Sequence, residues 1–264
     1  MSRVKVDLSG KVAFVTGGGS GIGRGFALQM ARNGAAVAVT DLNGDAAADV
    51  AAEITAIGGQ SLARRLDVTD FQVVEVMVAE TIAHFDRLDF LFANAGALGP
   101  GDFLETKAQD WDLVLNVNVN GVVYTCRAVV PHMMERRQGR ILITSSYNAV
   151  RAGTHVIPYR VSKAAALMYT RCLALVMAPY NVTVNAICPG VTLTPMQLDY
   201  AHKTAVEQGI TLEEYLADRT SRIPMQQLTE VEDLTGLAEF LVSDSARLIT
   251  GQAIAADGGV MVSS

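Results

Sequence analysis

Short apolar runs alternate with longer stretches of helical periodicity along the chain. Residues 11–15 and 36–40 are apolar and partly β-branched, and runs of this length predict buried strands. The same pattern predicts strands near residues 62–66, 88–92, 140–144, 181–187 and 253–256. Helical spacing of apolar residues predicts helices from Gly23 to Asn33 and over 46–57, 71–85, 108–136, 158–179 and 230–241.

Strands and helices that alternate at these lengths predict βαβ units. We therefore expect one α/β domain over residues 1–264, with a doubly wound parallel sheet of about seven strands and helices on both faces. The pattern loosens over residues 191–224, after the sixth predicted strand. Because long insertions at the carboxyl end of a strand often cover α/β sites, this segment is predicted to form a substrate lid.

Composition mainly excludes partners. Of the 264 residues, 50% are hydrophobic and 18% are charged, which suits one well-filled core. A net charge of −6 without a Lys/Arg cluster argues against nucleic acid and anionic membrane as partners. We expect no membrane span and no signal peptide, since no stretch approaches roughly 20 apolar residues. Three cysteines without a C-x-x-C pair predict core thiols in a reducing, cytoplasmic setting.

A glycine-rich stretch, residues 16–23, connects the first strand to the first helix. Its sequence, Thr-Gly-Gly-Gly-Ser-Gly-Ile-Gly, does not match the usual dinucleotide fingerprint G-x-G-x-x-G in any register. A strand, a glycine turn and a helix start nevertheless direct free backbone N–H groups and the helix dipole at one spot. This arrangement predicts a diphosphate site, with a merely flexible loop as the alternative.

Polar residues follow the ends of the predicted strands. They are Gly17, Asp41, Asp67, Asn94, Ser146 and Pro189. The carboxyl ends of parallel strands share one edge of a sheet, where ligands bind, so these residues are predicted to converge. Asp41 comes 24 positions after Gly17, close to the roughly 20-residue spacing at which an acid meets an adenosine ribose.

Tyr159 and Lys163 are four residues apart and share one helix face. A nearby ammonium is expected to lower the pKa of the phenol, so that Tyr159 could exchange a proton with a substrate oxygen as general acid or base. Ser146 lies thirteen positions earlier, at a strand end, and could hold the same oxygen. An ordinary amphipathic helix is the alternative for the Tyr/Lys pair alone.

Together these motifs resemble those of the short-chain dehydrogenase/reductase family, and the likeness covers essentially the whole chain. The matching residues are Thr16-Gly17-x-x-x-Gly21-Ile22-Gly23, Asn94-Ala95-Gly96, Ser146, Tyr159-x-x-x-Lys163 and Pro189-Gly190. The resemblance implies a Rossmann-type fold and a catalytic set of Asn118, Ser146, Tyr159 and Lys163. Asn118 is preferred to its neighbours because the surrounding residues match the family's helix pattern.

The resemblance also implies a nicotinamide dinucleotide site and a homo-oligomer, usually a tetramer, formed through the two long helices and the carboxyl-terminal segment. The implied cofactor-binding residues are Gly17, Gly19, Ser20, Gly21, Ile22, Gly23, Asp41, Leu42, Asp67, Val68, Asn94, Ala95, Gly96, Tyr159, Lys163, Pro189, Gly190, Thr192 and Thr194. Thr192 and Thr194 would lie near the carboxamide of the nicotinamide.

Asp41 indicates NAD as the cofactor, because a carboxylate can bind both ribose hydroxyls and would repel a 2′-phosphate. Arg24 is the one cation nearby in the sequence, and we expect it to face solvent. Residues predicted to face the substrate are Asn148, Arg151, His155 and Met196. Several of them are polar, which favours a polyol, sugar or diol. The four histidines show no metal-ligand spacing, so no metal is predicted.

Three functions therefore compete. The first is an NAD-dependent dehydrogenase acting on a polar secondary alcohol or its ketone. The second is a 3-oxoacyl-thioester reductase of the same family, which would be expected to need NADPH and a basic patch for its carrier protein. The third is a non-catalytic dinucleotide-binding regulator, for which Tyr159 and Lys163 together would have no use.

Overall fold

The computed structural model describes residues 6–263, within which seven strands and nine α-helices form. The strands are β1 (Val12–Thr16), β2 (Ala36–Asp41), β3 (Ser61–Arg65), β4 (Phe90–Ala93), β5 (Gly139–Thr144), β6 (Val182–Pro189) and β7 (Ala253–Ala256). The helices are α1 (Gly21–Arg32), α2 (Gly44–Ala56), α3 (Phe71–Phe85), α4 (Ala108–Leu115), α5 (Gly121–Arg136), α6 (Ile157–Met177), α7 (Pro195–Gln208), α8 (Leu212–Ser221) and α9 (Val231–Val242). Every predicted strand is present, with bounds within two residues of the prediction.

All strand pairings are parallel, in the order β3-β2-β1-β4-β5-β6-β7. The chain starts in the middle of the sheet, extends through β2 and β3 on one side, and then crosses back so that β4 pairs with β1. Connections therefore leave β1 and β4 in opposite directions, and a crevice opens between their carboxyl ends. The predicted doubly wound sheet is confirmed.

Helices cover both faces of the sheet because successive strand residues point to opposite sides. In β1, Ala13 and Val15 pack under α1, α2 and α9, whereas Phe14 packs under α3, α5 and α6. The rings of Phe26 on α1 and Phe92 on β4 lie 5.0 Å apart, centre to centre. Two apolar layers thus hold the carboxyl edge of the sheet in place.

The helix predicted over residues 108–136 is interrupted. A five-residue π-helical turn, Asn116–Asn120, separates α4 from α5. Such turns are rare inside α-helices and occur frequently at functional sites. The turn is where Asn118 is buried, so the interruption falls on a predicted site residue.

The expectation that all three cysteines lie in the core is wrong. Cys172 is exposed, whereas Cys126 and Cys188 are buried as predicted. Two helical stretches, Ala108–Arg136 and Ile157–Tyr180, are long and apolar enough to span a membrane by length and composition, each with a mean hydropathy of 1.3. Core helices meet the same criterion, and α5 and α6 both pack on the sheet.

The segment predicted as a lid, residues 191–224, follows β6 and contains α7 and α8. Thr194 caps α7 by accepting a hydrogen bond from the Gln197 N–H at 3.3 Å, and Thr211 and Glu214 form a capping box at the start of α8. These caps fix the start of each helix. Thr194, at the start of α7, packs closely on Gly21 at the start of α1, because a Cβ on Gly21 would lie only 3.0 Å from Thr194 Cγ2. The first turn of α7 therefore lies against the carboxyl edge of the sheet.

Candidate active site

The glycine turn between β1 and α1 is tightly enclosed by backbone. Gly17 has φ +62°, and a Cβ there would lie 2.9 Å from Ala95 Cα. A Cβ on Gly23 would lie 2.0 Å from the Gly17 carbonyl oxygen, a distance that no side chain tolerates. The chain therefore needs glycine here so that α1 can start directly above the end of β1.

This turn can accept an anion. Ser20 is the N-cap of α1, yet its side chain caps none of the first-turn N–H groups, which leaves them directed at the crevice with the positive end of the helix dipole. A Cβ on Gly19 would meet Ala46 Cβ at 2.8 Å. The absence of side chains at these positions and the uncapped helix start fit a diphosphate, so the residues present suit a dinucleotide.

A cavity of about 420 Å³, the cofactor cavity, opens beside the turn. The predicted cofactor residues that line it are Gly17, Ser20, Gly21, Ile22, Asp41, Leu42, Asp67, Val68, Asn94, Ala95, Gly96, Tyr159, Lys163 and Thr194. Gly19 and Gly23 pack behind the turn, and Pro189, Gly190 and Thr192 do not line the cavity. Most of the predicted set thus converges on one volume.

Asp41 lies at the end of β2 and rims the cofactor cavity. Its Oδ2 accepts a hydrogen bond from the Gly19 N–H at 2.9 Å, and its Oδ1 accepts one from the Asn43 N–H at 2.9 Å. Arg24 pairs with Glu53 on the exposed surface, as predicted. Sequence spacing did not point to Arg65, which the strand register places beside Asp41; it is exposed and does not line the cavity.

Asn94, directly after β4, joins three strands. Its Nδ2 donates to the carbonyls of Thr16 and Gly17 at 3.1 and 3.2 Å, and its Oδ1 accepts from the Thr144 hydroxyl at 3.0 Å. Asp67 accepts from the Thr69 hydroxyl and N–H, which lowers the pKa of that carboxyl. Both side chains are therefore held in fixed orientations at the cavity wall.

Asn118 is buried behind the cavity in the π-helical turn. Its Oδ1 accepts from the Ala97 N–H at 2.7 Å, while its Nδ2 donates to the Ala97 carbonyl at 2.8 Å and to the Ser162 hydroxyl at 2.9 Å. These bonds tie the loop after β4 to α6. In this arrangement Asn118 sets the position of α6, the helix that carries Tyr159 and Lys163.

Ser146, Tyr159 and Lys163 lie together at the carboxyl edge of the sheet, where Tyr159 and Lys163 line the cofactor cavity. The Ser146 side chain acts on the Tyr159 phenol in the direction that lowers its pKa, and the Lys163 Nζ lies 5.5 Å from the centre of the Tyr159 ring. Lys163 Nζ also donates to the Thr144 carbonyl at 2.8 Å. The predicted serine, tyrosine and lysine are thus brought to one point by β5 and α6.

The pKa of Tyr159 differs from the expectation. Burial raises the pKa of Tyr159 to about 12, with the Ser146 hydrogen bond opposing it, and burial lowers the pKa of Lys163 to about 8. The expected lowering by Lys163 is therefore wrong for the protein alone, because desolvation of the phenol dominates. In this state Tyr159 is a protonated donor, suited to give a proton to a carbonyl oxygen.

The predicted substrate residues are divided between two cavities and the protein surface. Met196 lines the cofactor cavity. Asn148 and His155 line a second cavity of about 200 Å³, the lid cavity, which lies between the segment after β5 and helices α7 and α8. Arg151 lines neither; it donates to the Val260 carbonyl at 2.9 Å and contacts the Ser263 hydroxyl at 3.4 Å.

Apart from Asn148 and His155, the polar residues that line the lid cavity were not predicted from the sequence. Tyr147 follows Ser146 directly, and its hydroxyl accepts a hydrogen bond from Arg219 of α8 at 2.8 Å. Arg160, Tyr200 and Tyr215 also belong to this lining. Tyr147 could have been predicted because it directly follows Ser146. Arg219 lies on a polar helix, and only the fold shows which side of that helix faces the cavity. Within residues 6–263 no cluster of three or more His, Cys, Asp or Glu side chains could hold a metal ion.

A glycine turn at the switch point of a parallel sheet, with Ser, Tyr and Lys at the same edge, defines a nicotinamide-dependent oxidoreductase. The family model described as enoyl-(acyl carrier protein) reductase matches residues 17–261. The chain belongs to the short-chain dehydrogenase/reductase family and is an oxidoreductase acting on alcohol or ketone substrates.

Named relatives use different substrates and cofactors. The chain is 34% identical over 255 residues to 2,3-dihydro-2,3-dihydroxybenzoate dehydrogenase of Bacillus subtilis, covering 96% of each. It superposes on NAD⁺-bound xylitol dehydrogenase with a TM-score of 0.89 at 31% identity, covering 95% of this chain and 99% of the other. A variant of actinorhodin polyketide ketoreductase with NADPH gives 0.92 at 29% identity, covering 96% and 98%.

Proposed function

We propose that this protein is an NAD-dependent dehydrogenase that transfers a hydride between nicotinamide and a polar secondary alcohol or its ketone. The observation that carries the proposal is the cofactor cavity itself. Asp41, Tyr159 and Lys163 all line this cavity, and the Ser146 side chain interacts with Tyr159. A ribose-binding acid and a proton donor therefore share one volume.

The glycine turn and the start of α1 would hold the diphosphate, Asp41 the adenosine ribose, and Asp67 with Val68 the adenine. Pro189, Gly190, Thr192 and Thr194 would contact the nicotinamide side. NAD⁺, when bound, supplies the acceptor for the hydride that leaves the alcohol carbon. Residues of this chain are proposed to bind the substrate oxygen and to exchange its proton.

Tyr159 is proposed to exchange the proton of the substrate oxygen. In reduction the neutral phenol donates its proton to the developing alkoxide, and the Ser146 hydroxyl donates a hydrogen bond to the same oxygen. In oxidation Tyr159 must first lose its proton, which the positive charge of Lys163 favours. Asn118 is proposed to act through α6, holding the helix on which both residues lie.

NAD is favoured over NADP by the charge around the cavity. Asp41 and Asp67 both line it, and Lys163 is the only basic residue among the described residues lining it. A 2′-phosphate of NADP at the Asp41 end would lie against the Asp41 carboxylate, whose Oδ2 already accepts a hydrogen bond from the Gly19 N–H. The negative charge of the phosphate would be repelled and would have no cation to pair with there.

The substrate class proposed is a diol, polyol or sugar. The polar residues Asn148 and His155 of the lid cavity support it, as do the two relatives whose names give a dihydrodiol and xylitol. A 3-oxoacyl-thioester reductase remains the second candidate, favoured by the family model's description and by the ketoreductase likeness. A non-catalytic dinucleotide-binding regulator is the third, and retention of the Ser/Tyr/Lys arrangement disfavours it.

A substrate panel tests the proposal. Polyols, diols, sugars and hydroxyacids are assayed with NAD⁺ and NADP⁺ at mildly alkaline pH, and 3-oxoacyl thioesters with NADH and NADPH. We expect NADH formation from a polar secondary alcohol. Tyr159→Phe should lower kcat by about 10²- to 10⁴-fold and leave NADH binding, measured by fluorescence, unchanged. Unchanged turnover in this variant would remove Tyr159 from the mechanism, and preference for NADPH would reject the cofactor assignment.

A homotetramer in the cytoplasm is proposed as the working form. Val161, Met168 and Leu175 recur at intervals of seven along α6 and are 46%, 56% and 79% exposed. Residues at this spacing form one stripe on a helix, and an exposed apolar stripe favours association with a second copy. Light scattering of Met168→Glu against the wild type tests this surface, since an unchanged mass would exclude α6 from the interface.

A further inference from the structure

The lid cavity has an unusual charge arrangement. Three arginines, Arg160, Arg219 and Arg222, and one aspartate, Asp218, line it. Asp218 is paired with Arg222 at 2.8 Å. Among residues 6–263, neither Arg160 nor Arg219 has a carboxylate oxygen within 4 Å. Two guanidinium groups therefore face one small volume without an acidic partner.

Arg219 is also only partly hydrogen-bonded. One of its terminal nitrogens donates to the Tyr147 hydroxyl at 2.8 Å, while its Nε is buried and has no partner. The Asn148 Oδ1 in the same cavity is likewise buried and unpartnered. Buried polar atoms without partners are uncommon and costly, so the cavity retains unused hydrogen-bonding capacity on both a cation and an amide.

Arg160 adds a positive charge to the lid cavity that no carboxylate of the described residues neutralises. It donates to the carbonyls of His155 and Arg151 at 3.0 and 2.8 Å, and burial lowers its pKa, as do the charges of Arg219 and Arg151. These carbonyls hold the guanidinium in place without neutralising it. The cavity therefore keeps a net positive charge that a bound anion would balance.

The lid cavity adjoins the proposed reaction centre through the chain itself. Tyr147 and Asn148 follow Ser146, and the Asn148 N–H donates to the Ser146 hydroxyl at 3.1 Å. Met196 lines the cofactor cavity while the next residue, Gln197, lines the lid cavity. A substrate whose oxygen is held by Ser146 and Tyr159 would thus lie beside residues that also line the lid cavity.

We propose that the lid cavity binds a carboxylate of the substrate, with Arg219 as the specificity-determining residue and the Tyr147 hydroxyl as its partner. This inference rests on the proposed function and narrows its polar secondary alcohol to one that carries a carboxylate, a hydroxy acid or diol acid, in place of an uncharged diol, polyol or sugar. The alcohol carbon gives a hydride to the nicotinamide and the hydroxyl proton passes to Tyr159, so ketone, NADH and one proton form while the carboxylate is unchanged. The planar guanidinium fork matches a carboxylate in two parallel hydrogen bonds.

Matched pairs of alcohols test the subsite. 3-Hydroxybutyrate is compared with 3-hydroxybutyramide, and mandelate with mandelamide, by initial rates of NADH formation. We expect kcat/KM to favour each acid. Arg219→Gln should lower kcat/KM for the acids by about 10- to 100-fold, mainly through KM, and leave the amides unchanged. Arg219→Lys should restore part of the loss. Lys203→Gln on α7, which is exposed and outside both cavities, is the control and should change neither.

Binding without turnover gives an independent test. Benzoate and benzamide are titrated calorimetrically into the wild-type protein with NADH, and benzoate is expected to bind more tightly. Equal binding of the two, or equal kcat/KM for acid and amide, would overturn the subsite while the dehydrogenase assignment stands. Faster turnover of glycerol 3-phosphate than of the acids would assign the cavity to phosphate and also reject the carboxylate. No NADH from any alcohol, with selective benzoate binding, would instead reject the proposed function and retain the subsite.

Discussion

The cofactor edge and the lid cavity differ in how fully their polar groups are partnered. At the cofactor edge, Asn94 makes three side-chain hydrogen bonds to two strands and a turn, and Asp41 makes two. In the lid cavity, atoms of Asn148 and Arg219 are buried without a partner. The Asn94 and Asp41 side chains of the first region are therefore bonded within the protein, whereas the second region has buried side-chain atoms without a partner.

This difference separates two tasks. A diphosphate and a ribose are the same in every catalytic cycle, so their site can be rigid and held by backbone. Discrimination among alcohols instead depends on buried polar groups that only the correct substrate satisfies, because the wrong one leaves them unpaired. We therefore expect substitutions at the cofactor edge to affect stability and cofactor choice, and those in the lid to affect substrate choice.

The largest effect is expected at Gly23. An alanine there would place its Cβ 2.0 Å from the Gly17 carbonyl oxygen and 2.5 Å from Asn94 Nδ2, so the turn must move. Gly23→Ala should lower the free energy of unfolding by about 4 kcal/mol or more and remove NADH binding, as measured by denaturant titration and fluorescence.

Gly236 provides the control, because a Cβ on this α9 residue would meet no atom within 4 Å. Gly236→Ala should stabilise the protein by about 0.5–1 kcal/mol through helix propensity. A Gly23→Ala variant as stable as wild type would show that the glycine turn is less rigid than the structure indicates.

Two side-chain substitutions, one in each region, test whether the cofactor edge and the lid cavity differ in stability. Asn94→Ala leaves the carbonyls of Thr16 and Gly17 and the Thr144 hydroxyl without their partner, and should cost about 2–4 kcal/mol of unfolding free energy. Arg219→Met removes an incompletely bonded buried cation and should change stability by less than about 0.5 kcal/mol. Chemical denaturation of both variants measures the contrast. Equal losses would mean that the two regions are built alike.

Asp41→Ala tests whether the cofactor edge determines the preference for NAD⁺ over NADP⁺. Loss of the carboxylate removes the proposed ribose hydrogen bonds and the repulsion of a 2′-phosphate. The ratio of kcat/KM for NAD⁺ over NADP⁺ should fall by about 10- to 100-fold. Arg65→Gln serves as the matched control, since Arg65 lies beside Asp41 in the strand register but outside the cavity. A larger loss of NADP⁺ activity in Arg65→Gln would reverse the assignment.

The buried charge of Lys163 makes stability depend on pH. Burial lowers its pKa to about 8 from the ordinary 10.5, so folding releases a proton between these values and stability should rise with pH from about 8 toward 10. Above pH 10 the raised pKa of Tyr159 acts in the opposite sense. Lys163→Met should gain about 1 kcal/mol at pH 7, the relief of the buried charge less its bond to Thr144.

The same variant should show a flatter stability profile between pH 7 and 9.5 and should have lost turnover. Thermal unfolding across this pH range measures both the gain and the slope. A wild-type stability that falls between pH 8 and 9.5 would contradict the assigned protonation of Lys163.

The cofactor edge could be predicted from the sequence because its chemistry depends on local order. A strand, a glycine turn and a helix follow one another directly, and Asp41 and Asn94 lie at strand ends, so topology alone brings them together. Tyr159 and Lys163 are neighbours on one helix face. For these residues, periodicity and spacing determine the relevant geometry.

The lid cavity could not be predicted in this way. Arg219 meets Tyr147 across 72 residues, and nothing in the polar sequence of α8 indicates that Arg219 faces inward. Arg151 was predicted to face the substrate, but its contacts lie with Val260 and Ser263 in the carboxyl-terminal segment. The pKa of Tyr159 also escaped prediction, because desolvation depends on burial that the sequence does not report.

The π-helical turn at Asn116–Asn120 has a consequence for how this chain compares with others. Such a turn holds one residue more than an α-helix of the same length, so the apolar faces of α4 and α5 are shifted by one position relative to each other. A relative with an uninterrupted helix would align across this stretch only with a one-residue gap. If the gap falls before the residue that aligns with Asn118, the asparagine of that relative would lie on a different face of its helix from Asn118 here.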